Sequence, residues 1–406
     1  LPPRTLSRGD AKSEVAASPY RLSGRVVSGA QEHFYLETQI TLAVPKEGGD
    51  VTLFCSTQDP SSVQALVAQV LARPANAVSV EVRRLGGGFG GKETAATHFA
   101  AIAALAAVKT GRACKLRLDR DDDMRITGKR HEFFSDFSVG FDGEGRIAGL
   151  EVDLHPRCGN SIDQSVEVLA RAAFHVDNCY YIPALRATCH YWKTNTVSAV
   201  AFRGFGTPQA FVLIESIIDR IARHLGLDPL AVRKVNFYAG PDRDTTPFDA
   251  HIPFDVLHRL VEEIEQSSGY GQRRREVLAF NASSPCLKKG LALTPIKYGC
   301  GFGVSFLNQG GALLHVYRDG SIHLNHGGTE MGQGLHIKVA QVVAEELQVD
   351  VRHIAISATS TEKVPNTIGT AASSGTDLNA GAARDAARII RKRLLDFVCE
   401  EFKVPA

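Results

Sequence analysis

Apolar and polar positions alternate with a period of two through RLSGRVV (21–27), TQITLAV (38–44) and VTLFCS (51–56), the signature of half-buried strands, with PKEGGD breaking the second from the third. PSSVQALVAQVLA (60–72) then spaces its apolar residues as a helix does, and VSVEVRRL (78–85) returns to strand alternation. A glycine run, GGGFGGKE (86–93), leads into the Ala-rich TAATHFAAIAALAAV (94–108), which predicts a helix. Strand, helix, strand, glycine loop, helix is an α/β order.

Further along, FFSDFSVG and RIAGLEVDL flank the turn Asp142-Gly143-Glu144-Gly145 and predict a hairpin. The stretch HPRCGNSIDQSVEVLARAAFHVDNCYYIP (155–183) reads as irregular, with a strand near RATCHYWKT (186–194). Thr207 is expected to cap a helix with Pro208 at its first position, running to Gly226, and Asp228-Pro229 to open another. From 239 to 292 the pattern loosens around one amphipathic helix, FDVLHRLVEEIEQ (254–266). A second block repeats the grammar: strands ALLHVYR and SIHLNH joined at Asp319-Gly320, a glycine loop, the helix LHIKVAQVVAEEL, the strand HIAISAT, a small-residue loop and a last helix to Phe397. The expected fold is α+β, a mixed α/β architecture of mixed sheets with helices started by Gly-rich loops. The expected domains are 1–240, a linker and helix at 241–290, and 291–406.

Composition narrows the partners. With 406 residues, 44% hydrophobic and 22% charged, the chain has material for two or three cores. A formal net charge of +2 gives no electrostatic reason to expect nucleic acid or a membrane surface. The charge runs RLDRDDDMR (117–125), RRR (273–275) and RKR (391–393) read as solvated surface. Eight cysteines include no C-x-x-C pair of the kind zinc and iron–sulfur sites use, and no apolar run reaches membrane-span length. Free thiols predict a reducing, cytoplasmic compartment, where the N-x-S at Asn281 is accidental. A first residue Leu1 and a tail EEFKVPA running off a helix suggest a piece of a longer polypeptide.

Four small-residue segments each run into a predicted helix: GGGFGGKE at 86, FRGFGTPQ at 202, GGTEMGQG at 327 and TAASSGTD at 370. A helix start offers unpaired N–H groups to an anion or polar ring. One such loop contributes only ~0.3–1 kcal/mol and equally suits a tight turn that needs positive φ. Four together predict a polar, phosphate-bearing cofactor gripped at several points by backbone groups. A dinucleotide fold would add a ribose-binding acid about 20 residues beyond its glycine loop, and VKTGRACKL (108–116) has none. A P-loop needs Ser or Thr after its lysine, whereas Glu93 follows Lys92 and would repel phosphates.

These loops, with QEHFYLETQ (31–39), resemble the molybdenum-cofactor region of the xanthine dehydrogenase and xanthine oxidase family, in the expected order from about residue 24 to 390. The resemblance is to the N-terminal portion of that region in a large subunit of bacterial type. It implies a molybdopterin, with iron–sulfur clusters and FAD on other domains or a partner subunit, and a homo-oligomer of the complete enzyme. By the same resemblance, Gln58 in CSTQDP approaches a molybdenum oxygen and the backbone of Gly88, Phe89 and Gly90 faces the metal centre. Arg203, Gln333, Ala372, Ser373 and Ser374 match cofactor-contacting positions. Gln58, Phe89, Arg203 and Ala372 are implied as contacts to the molybdenum centre, not as direct ligands.

Glu93 matches a glutamate that hydrogen-bonds a purine, where aldehyde oxidases carry an apolar residue; otherwise it is an acid favouring the helix dipole. Arg171 in VLARAAFH matches an arginine that stabilises negative charge on the purine oxygen, a contribution worth ~10²–10³ in rate. Phe205 and Phe302 correspond to two rings that sandwich the flat substrate; on their own both would be read as core. The pair Glu93 and Arg171 therefore favours a purine, with hypoxanthine and xanthine hydroxylated using oxygen from water.

Two departures stand out. Thr207 replaces the more usual glycine of FRGFGGPQ, and Gly303 replaces a threonine, removing one hydroxyl near the substrate. The family's general-base glutamate has no match in this chain, so the isolated segment is expected to be inactive. Remaining alternatives are a hydroxylase of aldehydes or other heterocycles, an NAD-binding dehydrogenase built on GGGFGG, and a non-catalytic fragment.

Overall fold

Strand-forming and helix-forming stretches here assemble into two compact units, each gathered from separate parts of the chain. The computed structural model describes residues 1–303 and 305–405. One unit comprises Leu1–Ala30, His131–Asn195 and Gly204–Gly299; the other comprises Gln31–Arg130, Thr196–Arg203 and Cys300–Ala406.

The first unit is a mixed sheet backed by helices. Its strands lie in the order Arg4–Arg8, Ala184–Cys189, Ile147–Gly159, Phe133–Phe141, Tyr20–Ser28, with Trp192–Lys193 also pairing to Ile147–Gly159. The predicted hairpin is present, with Phe133 opposite Pro156 and Phe141 opposite Ile147. Phe137, Val139, Phe141, Leu150 and Val152 are buried against a helix, Thr207–Leu225. That helix buries Ala210, Leu213, Ile214, Ile217, Ile218 and Ile221 completely, the repeat of an amphipathic helix with its apolar face inward. It starts one residue away from expectation. Gly206 is the N-cap and Thr207 the first helical residue, with Pro208 inside the first turn.

The second unit carries two sheets. Five strands lie in the order Thr359–Ser360, Val78–Val82, Val51–Cys55, Ile40–Pro45, Cys114–Arg117. Val51–Cys55 runs parallel to Val78–Val82 through the helix Pro60–Val70, the predicted strand–helix–strand unit. Ala100, Ala104 and Ala107 of the helix Ala95–Thr110 are fully buried on this sheet, where small side chains let helix and strands approach closely. The second sheet, in the order Ala312–Val316, Ile322–His326, Ile354–Ile356, packs on Leu335–Leu347 and Gly375–Phe402. The mixed α/β expectation therefore holds.

Some local readings do not. The stretch read as irregular contains a helix, Ser165–Phe174, whose Val168, Leu169, Ala172 and Ala173 are buried. A helix Tyr270–Ser283 occupies part of the loose region, and a strand Arg4–Arg8 and a helix Ala11–Ala17 precede the first predicted strand. Among the described residues, no helix is long and apolar enough to cross a membrane.

Candidate functional site

In the second unit, three of the small-residue loops are hydrogen-bonded to one another. Gln58 ends the segment after Val51–Cys55 and is buried. Its Oε1 accepts the Gly90 N–H at 2.9 Å, and its Nε2 donates to the Thr370 carbonyl at 3.1 Å. The Gln58 N–H donates to Lys92 O and its carbonyl accepts from Thr370 N–H, both at 2.8 Å. One carboxamide thus joins loop 86–92 to loop 370–374. Thr370 Oγ1 in turn accepts the Thr329 N–H at 2.8 Å, and Leu85 N–H donates to Glu330 O at 2.9 Å, which ties in the loop 327–334.

Within the first loop Gly91 N–H returns to Gly88 O at 2.9 Å. Phe89 is left-handed at φ 56 and 40% exposed, a conformation a bulky residue holds only where surroundings enforce it. The enforcement is visible: Phe89 O accepts Arg203 N–H at 2.8 Å, and Gly90, at φ 96, would place a Cβ only 2.7 Å from Ala201 O. Arg203 itself is exposed, and its carbonyl accepts Arg130 Nη2 at 3.0 Å. Glu93 is buried just before the helix Ala95–Thr110.

Beneath this loop lies a polar network. Lys92 has no exposed side-chain surface; its Nζ donates to Glu37 Oε2 at 2.9 Å and Ser56 Oγ at 2.7 Å, over the Tyr35 ring at 4.7 Å. The ammonium therefore points inward, which explains physically why GGGFGGK is no P-loop. Burial pushes the Lys92 ammonium below its ordinary value, opposed by Glu37. Burial alone would raise the Glu37 carboxyl, but hydrogen bonds from Ser56 and the Gly86 amide, together with Lys92, hold it low. Asp123 is a correction to the solvated reading of RLDRDDDMR: it lies fully buried in the helix Arg120–Ile126. There it accepts the Tyr35 hydroxyl at 2.7 Å and Gln39 N–H at 2.8 Å, while Gln39 Nε2 donates to Gly91 O at 2.9 Å.

The loop 327–334 uses its own acid. Glu330 accepts the N–H groups of Gly332, Gly334 and His336 at 2.9, 3.0 and 3.0 Å, filling the nest at the start of Leu335–Leu347. Burial works against this carboxylate, and the three backbone donors outweigh it and lower its pKa. Gln333 folds back, accepting Met331 N–H at 2.7 Å and donating to Thr329 O at 2.9 Å. Ala372 and Ser373 are left-handed at φ 54 and 58, and Ser374 is the N-cap of Gly375–Phe402 without a side-chain cap bond. Ala372 O accepts Gly301 N–H at 2.8 Å, and the next residue, Phe302, is clasped by Asn308 through its N–H at 2.8 Å and its carbonyl at 3.0 Å.

Arg171 and Phe205 belong to the first unit. Arg171 sits on Ser165–Phe174 and donates from Nη1 to Gly299 O at 2.5 Å. Phe205 is left-handed at φ 51 and partly buried against the core. Its turn is fixed because Gly206 abuts that helix, where a Cβ would lie 2.1 Å from Val168 O. The structure thus brings the Arg171 helix and the Phe205 turn together, and separately joins Gln58, Phe89, Arg203 and the 370–374 loop. Sequence reasoning assigned no role to Glu37, Ser56, Tyr35, Asp123 or His175. Glu37 and Tyr35 did lie in the motif QEHFYLETQ, whose family resemblance was the one available signal.

Comparison with known proteins identifies the family. Residues 1–237 match a family described as molybdopterin cofactor-binding domain, and 263–406 match a second family of the same description. Xanthine dehydrogenase/oxidase of Felis catus is 46% identical over 397 residues, 98% of this chain and 30% of that protein. Xanthine dehydrogenase of Calliphora vicina is 45% identical over 392 residues, 97% of this chain and 29% of that protein. The chain thus spans about 30% of the length of the curated relatives it matches. Among solved structures, the Cu,Mo-CO dehydrogenase in its carbon monoxide reduced state superposes with a TM-score of 0.87 at 21% identity, covering 100% of this chain and 53% of that one. At that identity the likeness concerns the fold.

Proposed function

The chain belongs to the molybdopterin cofactor-binding domain family, and from that premise we propose that it forms the cofactor-holding part of a molybdenum hydroxylase acting on purines. The observation that carries this reading is the union of three glycine or serine loops through Gln58 and Thr370. The residues fit a phosphorylated pterin. Thr329 Oγ1 is buried without a partner; Phe89, Ala372 and Ser373 are left-handed; and Gly375–Phe402 starts without a side-chain cap. Such a helix start and hydroxyl set suit a phosphate, and strained loop backbones suit close approach to a rigid ring system.

When bound, the molybdenum centre supplies oxygen derived from water and accepts two electrons. The net change is purine C–H plus water to C–OH, two electrons and two protons, the electrons leaving to iron–sulfur clusters and FAD outside this chain. Within the chain, Gln58 and the 88–90 backbone would orient the metal centre, with Arg203, Gln333, Ala372, Ser373 and Ser374 holding the cofactor. Glu93 hydrogen-bonds the purine and Arg171 stabilises charge on its oxygen, while Phe205 and Phe302 orient the ring by stacking. A cytoplasmic compartment, supported by eight free thiols, and a homo-oligomer of the complete enzyme belong to the same proposal.

Molybdenum and phosphopterin analysis of the native enzyme containing this chain tests it, together with transfer of ¹⁸O from water into the oxidised purine. Stoichiometric molybdenum and labelled urate are expected. Tight NAD binding by a complex without molybdenum would overturn the reading.

A further inference from the structure

We propose that His175 is a positioning residue for Arg171: it fixes the Gly299 backbone, whose carbonyl receives the arginine, and so sets where the guanidinium sits. The inference rests on Arg171 facing the purine. His175 caps the helix Ser165–Phe174, one turn beyond Arg171, and is 5% exposed. Its Nδ1 lies 2.9 Å from Arg171 O, and its Nε2 lies 3.1 Å from Gly299 N. A carbonyl can only accept and a backbone N–H can only donate, so Nδ1 must carry the proton and Nε2 must be bare. Two main-chain groups therefore dictate a single neutral tautomer.

Gly299 is held on both of its polar groups: its N–H by His175 and its carbonyl by Arg171 Nη1 at 2.5 Å. A Cβ there would meet His175 Nε2 at 3.6 Å, an ordinary contact, so hydrogen bonding rather than steric need defines the position. The segment 295–299 has no regular secondary structure of its own. Side chains of the 171–178 stretch supply its order instead. Asn178 Nδ2 donates to Pro295 O at 3.1 Å, Asn178 Oδ1 accepts Lys297 N–H at 3.0 Å, and Lys297 Nζ pairs with Asp177 Oδ2 at 2.6 Å. The Tyr298 ring lies 5.8 Å from both the Arg171 guanidinium and the His175 ring. Among the described residues, His175 and Arg171 are the ones that hydrogen-bond Gly299, so the imidazole holds the residue whose carbonyl receives the guanidinium. Burial supports the bare Nε2 by pushing the His175 pKa down to about 4, against the bond to the Arg171 carbonyl, which raises it, and with the Lys297 charge adding to the fall.

Two polar substitutions in the native enzyme separate this role from general packing. His175→Gln can bring Oε1 to the place of Nε2 and keep the Gly299 bond; His175→Asn reaches the Arg171 carbonyl but stops short of Gly299. We expect His175→Asn to raise deuterium uptake of the 295–303 peptide about fivefold and to lower kcat on a purine about tenfold or more, with KM little changed. His175→Gln should stay close to wild type in both, and molybdenum content should be equal in the two variants. If the Asn and Gln variants behave alike in exchange and in kcat, the proposal is overturned. Arg171→Met is measured beside them: full purine turnover in that variant would sink the substrate role of Arg171, while the exchange data would still report whether His175 fixes Gly299.

Discussion

Lys92 and Glu37 form a 2.9 Å ion pair in which the ammonium has no exposed surface and the carboxylate keeps 36% of its own. That asymmetry predicts unequal costs. Glu37→Gln removes the charge opposite a buried cation and leaves it an amide oxygen, Ser56 and the Tyr35 ring, a loss of ~3–5 kcal/mol, whereas Lys92→Met leaves a carboxylate that water, Ser56 and the Gly86 amide still satisfy. We expect the glutamine variant to be the less stable by denaturant unfolding. Equal midpoints, or the reverse order, would contradict the assignment of Lys92 as the desolvated partner.

Gln58 is expected to couple two loops. Gln58→Leu leaves the Gly90 N–H and the Thr370 carbonyl unpartnered, at ~1–3 kcal/mol for each buried group. Deuterium uptake should rise together in peptides covering 86–92 and 370–374. An increase confined to one loop would show that the carboxamide does not join them.

How far the chain announced this arrangement differs by element. The helix Leu335–Leu347 and the turn Asp142–Gly145 were legible because apolar spacing and turn residues act locally. Ser165–Phe174 was not, since its short apolar stripe is interrupted by Glu167 and Arg171 and preceded by polar residues. Asp123 looked like one of several surface acids because nothing beside it in sequence reveals Tyr35 and Gln39 as its partners. For the candidate site, motifs named the loops, while the ties between them came from Gln58 and Thr370, whose side chains carry no local signature. Lys92 illustrates the limit: its place after a glycine run is that of a phosphate-binding lysine, and only the fold turns it inward.

Acid should weaken the protein before most carboxylates titrate. Burial lowers His33, His175 and His326 from 6.5 to about 4 each. Between those values the unfolded chain takes up protons that the folded one refuses, so stability is whole above about pH 6.5 and lost as pH falls toward 4. Each histidine contributes at most ~1.4 kcal/mol per pH unit. Urea midpoints measured from pH 7.5 to 4.5 should fall accordingly. His326→Asn, which can still accept the Gly328 N–H, should flatten the slope.

Substrate choice can be separated from cofactor retention. Glu93 is buried at the start of Ala95–Thr110 and Arg171 is anchored on Gly299, so neither is needed for the Gln58 linkage that carries the cofactor proposal. If Arg171 faces the purine as proposed, Arg171→Met removes a donor for developing charge, a loss of ~10²–10³ in purine turnover, with molybdenum content unchanged. On the same proposal Glu93→Val removes a polar partner of the heterocycle, which should raise KM for purines while sparing aldehydes, whose carbonyl asks nothing of a carboxylate. Steady-state kinetics on xanthine and on an aromatic aldehyde, with metal analysis of each variant, check both. If xanthine turnover survives both substitutions, the site takes some other heterocycle and the purine assignment falls, while the cofactor reading stands on its own measurement.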